Sequence, residues 1–218
     1  MPDLTENDRK PRARPGPDAI TEEVAEAPPV RRRRVESHRA VLDAAQALLR
    51  EVGYSKVTID QICARAGVSK ATVYRWWPNK AAVFMELYLE LSKSEARLPA
   101  DTGSLEGDLR EQVRRAFRLF RKTVAGQALA GFVADAQSHP QTARMLHGSF
   151  ADDRRALNLG MLERARVRGE LSPDIALEVA AEIITGAVYY QVLVRHRQVS
   201  DADADQIVDA ILNGFKAR

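Results

Sequence analysis

The sequence predicts an all-α protein in which a small N-terminal three-helix unit is followed by a larger helical domain. Apolar residues recur at helix spacing through most of the chain after residue 30. Residues that start or stop helices bound these runs, with Thr, Ser and Asn at the beginnings and Gly at the ends. The length of 218 residues is enough for two compact units.

Positive charge is concentrated in one part of the chain. Residues 1–30 hold four Lys and Arg against seven Asp and Glu, whereas residues 31–80 hold eleven against four. A basic segment beside a nearly neutral remainder indicates a polyanion-binding module, and a merely solvated basic face is the alternative. We expect residues 1–30 to form a disordered tail, because six prolines stand there among charged and small residues.

Cysteine usage and hydropathy indicate the compartment. The single cysteine, Cys63, cannot form an internal disulfide and falls on an apolar helix face, which indicates a small core residue in a reducing compartment. No apolar run is expected to be long enough to span a membrane, and residues 1–30 lack the apolar core of a secretory signal. The sequence therefore predicts a cytoplasmic protein without membrane contact.

The first two helices are predicted from their apolar faces and their ends. Helix one is expected to follow the arginine run and to end at Gly53. Its predicted face comprises Val41, Ala45, Leu48, Leu49 and Val52. Helix two is expected to start at Thr58, which forms a capping box with Gln61, and to end at Gly67. Its predicted face comprises Ile59, Ile62, Cys63 and Ala66.

A short third helix and a long fourth helix are expected next. Ser69 is the predicted N-cap of the third helix, which buries Val73 and Trp77 one turn apart. Pro78 ends this helix, and Asn79 caps the fourth. The predicted face of the fourth helix comprises Val83, Phe84, Leu87, Tyr88 and Leu91. Residues 81–104 are then the connecting helix and linker.

Two helices joined by a tight glycine-containing turn form a helix-turn-helix, whose second helix lies in the DNA major groove. The residues left on the outer side of the third helix are Lys70, Ala71, Thr72, Tyr74 and Arg75. Lysine and arginine bind phosphate or guanine acceptors, threonine and alanine contact thymine methyl groups, and tyrosine donates to phosphate. Residues 31–80 are therefore predicted to form a helix-turn-helix DNA-binding domain.

The segment from Thr58 to Arg75, TIDQICARAGVSKATVYR, followed by WPNK at 77–80, resembles the tetracycline-repressor-like (TetR) family of transcriptional regulators. The resemblance implies that Thr58, Tyr74 and Lys80 contact phosphates. It also implies that Lys70, Ala71, Thr72 and Arg75 approach bases, with Ser69 beside them at the helix start. Trp76 stands where the family often has histidine, so no contact is assigned to it.

The arginine run ahead of helix one is a second candidate DNA contact. It comprises Arg31, Arg32, Arg33 and Arg34. These side chains are expected either to enter a narrow minor groove or neutralise phosphates, or to remain flexible and add non-specific affinity.

Residues 105–218 are predicted to form a helical regulatory and dimerisation domain. Amphipathic segments are expected from Leu105, after Gly126, and over 140–168, followed by a turn in which Ser172 or Asp174 caps the next helix. Helices are then expected over 175–196 and 205–215. The first of these is apolar on more than one face, which calls for additional packing partners.

The last two helices are the predicted dimer interface, as the family resemblance also implies. Its candidate residues are Ile183, Ala187, Tyr190, Ile207, Val208, Ile211 and Phe215. The alternative is that these stripes fill only an intramolecular core. A two-fold dimer reads two half-sites about 34 Å apart, so the expected partner is double-stranded DNA carrying a palindromic operator.

The resemblance implies a pocket for a small, unidentified effector, and the composition favours a largely apolar one. The candidate lining residues are Phe117, Phe120, Phe132, Met145, Phe150, Met161 and Tyr189. Aromatic and methionine residues at helix spacing also occur as ordinary core. A second possibility is that the C-terminal domain binds a protein partner and senses no ligand.

Enzymatic machinery, cofactors and metals are not expected. The chain has no P-loop, no dinucleotide-binding glycine pattern, and no CxxC or HExxH motif. The run 201–205 begins like a calcium loop, but Gln206 replaces the required glycine and Leu212 the required glutamate. Helix capping explains the run more simply. The predicted function is that of a sequence-specific transcriptional regulator, most often a repressor.

Overall fold

The structure is a computed structural model, and it describes residues 29–96, 101–196 and 198–214. Side chains at 29–33, 94–96, 149, 150 and 153 are outside this description. The predicted tail, residues 1–30, lies outside the described ranges apart from its last two residues, which belong to α1. The described residues form helices and turns without a strand, which confirms the all-α prediction.

Ten α-helices and three tighter or wider turns make up the described part of the chain. The helices are α1 (Pro29–Val52), α2 (Ile59–Ala66), α3 (Lys70–Trp76), α4 (Lys80–Ala96), α5 (Leu105–Lys122), α6 (Ala125–Ser138), α7 (Pro140–Met145), α8 (Asp152–Val167), α9 (Leu177–Tyr189) and α10 (Asp201–Asn213). A 3₁₀ turn over Tyr54–Lys56 follows α1. π-helical turns over Leu146–Ala151 and Tyr190–Val194 precede α8 and follow α9.

Helix α1 begins earlier than predicted. The arginine run was expected to precede the helix, but α1 starts at Pro29 and contains the whole run. Proline is tolerated in a first helical turn because its missing N–H has no intrahelical partner there. Val52 is also 38% exposed and does not join the core, unlike Val41 and Leu49. The predicted stop at Gly53 is confirmed, with φ at +76°.

The caps of the next three helices are confirmed. The Thr58 hydroxyl accepts from the amide of Gln61 at 3.2 Å, and the Gln61 side chain accepts from the amide of Thr58 at 2.9 Å. Ser69 Oγ accepts from the amide of Thr72 at 3.2 Å, and Asn79 Oδ1 from that of Ala82 at 2.9 Å. These bonds satisfy amides that a helix start would otherwise leave unpaired, so the helix boundaries are set locally.

Two hydrophobic cores meet around α4 and α5. The first combines the inner faces of α1, α2 and α3 with α4. It continues into α6, where Leu129 and Phe132 join the same core as Phe84 of α4. The second lies among α5, α8, α9 and α10. Helix α4 therefore packs against both the N-terminal helices and the larger domain, and it connects them rigidly rather than as a loose linker.

The C-terminal helices differ from the prediction at two starts. Helix α9 begins at Leu177 after Ala176 without a side-chain cap, while the Ser172 hydroxyl only accepts from the Asp174 amide at 3.4 Å within the preceding turn. Helix α10 begins four residues before the predicted Asp205, because Ser200 and Asp203 form a capping box. Spacing of apolar residues alone does not detect such a polar first turn.

The acidic run of α10 is paired with arginines of α5. Asp205 binds Arg114 at 2.7 Å and Arg110 at 3.4 Å, and Asp201 binds Arg121 at 3.1 Å. Asp209 also pairs with Arg110. No cluster of three or more metal-binding side chains occurs in the described part of the chain. Asp201 and Asp205 therefore dock α10 on α5, while Asp203 caps the helix.

One expectation about hydropathy is wrong. The segment Leu177–Val194 is long and apolar enough, by length and composition, to cross a membrane, although only 22% of it is buried in the protein. Its exposed apolar side chains include Val179, Ile183, Tyr190 and Val194, each 53–60% exposed. An exposed apolar face of this kind is typical of surfaces that pack against another molecule.

Candidate nucleic-acid interface and internal cavity

The third helix presents the predicted outer face. Lys70, Ala71, Tyr74 and Arg75 are exposed, Tyr74 at 52%, and Thr72 is half-buried. Val73 and Trp77 are almost fully buried on the opposite side, as predicted. A seven-residue helix is therefore held rigidly from behind and leaves its polar face free for a groove.

The hydroxyls at the helix starts have a structural role already. Thr58 and Ser69 cap α2 and α3, and the hydroxyls of Ser69 and Thr72 lie 3.0 Å apart. Both cap residues remain exposed. The Thr58 hydroxyl also donates to Gln61 Oε1 at 3.3 Å, so a phosphate oxygen would have to replace that acceptor.

The two predicted lysine contacts differ in availability. Lys70 Nζ lies 2.7 Å from Asp60 Oδ1, and both side chains are more than 60% exposed, so the pair opens at small cost. Lys80 is half-buried, and its Nζ donates to the Tyr54 carbonyl at 3.0 Å while lying 4.2 Å from the centroid of the Tyr54 ring. Lys80 is thus engaged with Tyr54, and the phosphate contact that the resemblance implies for it stays a prediction.

Trp76 packs against the first helix. Its ring meets the edge of His38 at 5.2 Å and that of Trp77 at 5.4 Å between centroids. His38 Nε2 lies 2.9 Å from Glu86 Oε1, and Trp77 Nε1 donates to Glu86 Oε2 at 2.5 Å. These contacts join α1, α3 and α4, so Trp76 helps to set the orientation of α3. In the arginine run, Arg34 is exposed, and the side chains of Arg31 to Arg33 lie outside the description.

A polar joint connects the N-terminal helices to α6. The Tyr54 hydroxyl donates to Asp135 Oδ2 at 2.6 Å, and its ring contacts Phe84 at 4.9 Å between centroids. The ring also lies directly on Gly131, where any side-chain carbon would overlap it. Burial and then the Asp135 carboxylate raise the pKa of Tyr54 well above its usual range. Sequence reasoning missed this joint, because Tyr54 and Asp135 are 81 residues apart.

A small cavity of about 30 Å³ lies where α4, α5, α8 and α9 meet. Two of the predicted effector-binding residues, Phe120 and Tyr189, line it. Phe117, Phe132 and Met161 are instead fully buried core residues, because the same helix spacing also places residues in the tightly packed interior. Met145 packs against the first core, and the side chain of Phe150 lies outside the description.

The cavity carries polar groups that the sequence analysis did not identify. Arg154 Nη2 donates to the Tyr88 hydroxyl at 3.1 Å, and the guanidinium also interacts electrostatically with the hydroxyl of Tyr189. Burial opposes the charge of Arg154, but the two tyrosines outweigh it, so the pKa of Arg154 is raised. Deeper in, the Asn158 amide donates to Thr185 Oγ1 at 2.8 Å. The wall between these groups is apolar.

A larger open groove of about 590 Å³ lies beside the cavity, between α5, α6 and the π-helical turn after α9. Phe120 lines both spaces. Phe120 is therefore a wall residue that the two spaces share.

The predicted dimer residues are only partly available for a partner. Ile183 and Tyr190 are 55% and 54% exposed, while Ala187, Ile207 and Ile211 are half-buried. Val208 is fully buried in the second core, so its place in the predicted interface is wrong. Phe215 lies outside the described residues. The exposed apolar face is therefore formed mainly by α9.

Known proteins resemble the chain along most of its length. Residues 41–87 match the family described as bacterial regulatory proteins, tetR family, and residues 99–211 match the tetracyclin repressor-like C-terminal domain. The uncharacterized HTH-type transcriptional regulator YdeS of Bacillus subtilis is 34% identical over 180 residues, which cover 83% of this chain and 88% of that protein.

Solved structures share the fold. The TetR family transcription regulator SCO0332 has 30% identity and a TM-score of 0.67, over 84% of this chain and all of that chain. The transcriptional regulator FadR from Bacillus subtilis, in complex with stearoyl-CoA, has a TM-score of 0.66 at 19% identity, over 82% of this chain and all of that chain.

Proposed function

The chain belongs to the TetR family of bacterial transcriptional regulators, and on this premise we propose that it is a homodimeric cytoplasmic repressor released from a palindromic operator by a small ligand. The observation that carries the proposal is the exposed polar face of α3. Its lysine, arginine and tyrosine stand on a rigid helix that two buried residues hold from behind. This is the geometry that a major groove accepts.

The exposed side of α9 supports dimerisation. Its apolar side chains are too numerous and too contiguous for a surface left in water. Pairing α9 with its two-fold copy buries them, and α10 stands beside it. A dimer of this kind places two copies of α3 for two half-sites on one face of the DNA.

The cavity and the joint support ligand control. The cavity lies against α4, and α4 packs on both the N-terminal helices and α6. A ligand that favours one arrangement of α4 and α6 over another would move the two DNA-reading helices through Tyr54 and Asp135. FadR, which has the same fold, was solved with stearoyl-CoA, so this fold accommodates a ligand with a long apolar part.

Affinity selection of fragmented genomic DNA on the purified protein tests the DNA-binding part. At about physiological salt, where non-specific binding is weakened, we expect enrichment of one palindromic site. Arg75→Ala should weaken binding to that site and relax its sequence preference by about 1–3 kcal/mol at one base pair of each half-site. Arg155→Ala, at an exposed position of α8, is the charge-matched control. Retention of fragments without a shared sequence would contradict the proposal.

A further inference from the structure

The cavity contains a positive charge without a described negative partner. The Arg154 guanidinium donates to the Tyr88 hydroxyl and interacts electrostatically with that of Tyr189, and no carboxylate in the described part of the chain forms an ion pair with it. The other arginines that pair in this domain do so with acids, as Arg110 and Arg114 do. A cation withdrawn from water is stable only when an anion or several strong acceptors satisfy it.

The position of this half-buried arginine in the fold sets it apart from an accidental charge. Arg154 stands in the first turn of α8, directly after the π-helical turn over Leu146–Ala151, and Tyr189 precedes the second such turn at Tyr190. π-helical turns interrupt regular helices mostly at functional sites. The two described π-helical turns thus border the two helices that bring Arg154 and Tyr189 together.

We propose that the cavity binds a monocarboxylate with an elongated apolar body, whose carboxylate is held by Arg154 and the hydroxyls of Tyr88 and Tyr189. A guanidinium binds a carboxylate through two parallel N–H bonds, and tyrosine hydroxyls can donate to the same oxygens. The apolar body contacts Val113, Ile184 and Val188 along the cavity wall. The inference rests on the proposed function only in taking this cavity as the effector site.

The size of the cavity requires that one wall opens. A volume of about 30 Å³ holds only one or two water molecules. The neighbouring groove, at about 590 Å³, lies within the range of roughly 300–1,000 Å³ for small-molecule sites. Rotation of the Phe120 ring joins the two spaces. The carboxylate then lies inside at Arg154, and the apolar body passes Phe120 into the groove.

Gly126 leaves the space into which Phe120 moves. A side-chain carbon at position 126 would lie 3.6 Å from Cδ1 of Phe120 and 3.3 Å from Cγ1 of Val192. Because glycine leaves this volume open, the ring can turn without displacing the backbone of α6. Phe120 is therefore a gate and Arg154 the recognition group.

Direct binding to the full-length protein tests the head-group assignment. The probes are straight-chain carboxylates from hexanoate to palmitate, each compared by calorimetry with its matched primary alcohol. We expect at least one acid to bind and its alcohol to bind about 10-fold to 100-fold more weakly, the range for losing a charge-assisted pair. If no acid binds, or if the alcohols bind as tightly as the acids, the proposal is wrong.

Variants locate the site. Arg154→Gln should abolish the preference for the acid over the alcohol, Arg154→Lys should retain part of it, and Arg155→Gln, which removes the same charge at the next, exposed position, should leave it unchanged. An acid preference that survives in Arg154→Gln contradicts the assignment. Thermal unfolding of each variant without ligand checks that it is folded.

Two further measurements test, separately, the role of Phe120 in ligand entry and the release of DNA by the ligand. Phe120→Ala should accelerate association of the bound carboxylate and Phe120→Trp should slow it, whereas equal rates in both variants would contradict the gate. Release of DNA by the same carboxylate is measured separately. Binding without release would count against the proposed regulation and leave the head-group assignment intact.

Discussion

The hydroxyl of Tyr54 donates a 2.6 Å hydrogen bond to Asp135, joining the turn after α1 to α6. The same ring lies on Gly131 and beneath the ammonium of Lys80. One tyrosine thus connects the DNA-reading helices, α4 and the larger domain. Substitutions at this joint should therefore change the stability of the protein, its affinity for DNA and its response to ligand to different extents.

Tyr54→Phe removes the hydroxyl and keeps the ring. We expect the free energy of unfolding to fall by about 1.5–3 kcal/mol, because the bond is to a charged acceptor and Asp135 loses its partner. Urea unfolding measures this loss. Tyr74→Phe, on the exposed face of α3, is the matched control. It should weaken operator binding and leave stability unchanged, so equal destabilisation in both variants would contradict the assignment.

Gly131→Ala should destabilise the protein although alanine favours helices. The added methyl group overlaps the Tyr54 ring, which costs about 1–3 kcal/mol as overpacking. Gly160→Ala in α8 should instead stabilise the protein, since nothing lies within 4 Å of the new carbon. The higher helix propensity of alanine should raise the free energy of unfolding by about 0.8–1 kcal/mol. Thermal unfolding of the two variants measures both effects. If both variants were stabilised, the Tyr54 ring would have to move aside at little cost, which would contradict the expected overlap.

Asp60→Asn should tighten DNA binding. Asp60 holds Lys70 at 2.7 Å, and that pair must open before the ammonium reaches DNA. An exposed pair is worth up to about 1 kcal/mol, so affinity should rise by roughly two-fold to five-fold. Fluorescence anisotropy on the selected operator measures the change. Asp43→Asn, which breaks the exposed pair with Arg39 on α1, is the control for net charge.

Ile183→Glu should shift the protein from dimer to monomer. Ile183 is 55% exposed on the apolar side of α9, and a charge there must be buried for the dimer to form. Sedimentation velocity measures the change in mass. Val167→Glu is the control, because Val167 is 81% exposed at the end of α8. A dimer that survives Ile183→Glu would place the interface elsewhere.

Acid should weaken the docking of α10 through Asp205. The hydrogen bond from Arg114 holds the pKa of Asp205 below its usual value. Its contribution is therefore fully present above the unfolded-state pKa of about 3.9 and is lost as the pH falls through the lower folded-state pKa. Asp205→Asn should lower the unfolding midpoint at pH 7 and make less difference near pH 3. An equal difference at both pH values would contradict this linkage.

Sequence signals between near neighbours predicted the helices of the N-terminal half well. They did not predict contacts between residues that are far apart in the chain. Capping at Thr58, Ser69 and Asn79 involves residues three positions apart, which a sequence displays directly. The contact of Arg154 with Tyr88 spans 66 residues, and no periodicity encodes it. The arrangement of α4 against α8 brings the two together.

Aromatic content was a poor guide to the cavity for a related reason. Phe117 and Phe132 have the helix spacing of lining residues, but the structure buries both in well-packed cores. The groups that distinguish the cavity are polar, and their significance depends on being enclosed. A charged residue in a helix looks like a surface residue until its surroundings are known.

The π-helical turn ahead of α8 sets how the site responds to a change in chain length. Such a turn holds one residue more than an α-helical turn would, so deleting a residue within Leu146–Ala151 restores a regular helix and leaves the register of α8 unchanged. Deleting a residue inside a regular helix instead rotates everything on one side of the deletion by about 100° relative to the other. In this chain, a one-codon deletion in the turn therefore keeps Arg154 at the cavity, whereas the same deletion in the middle of α5 turns Phe120 away from it.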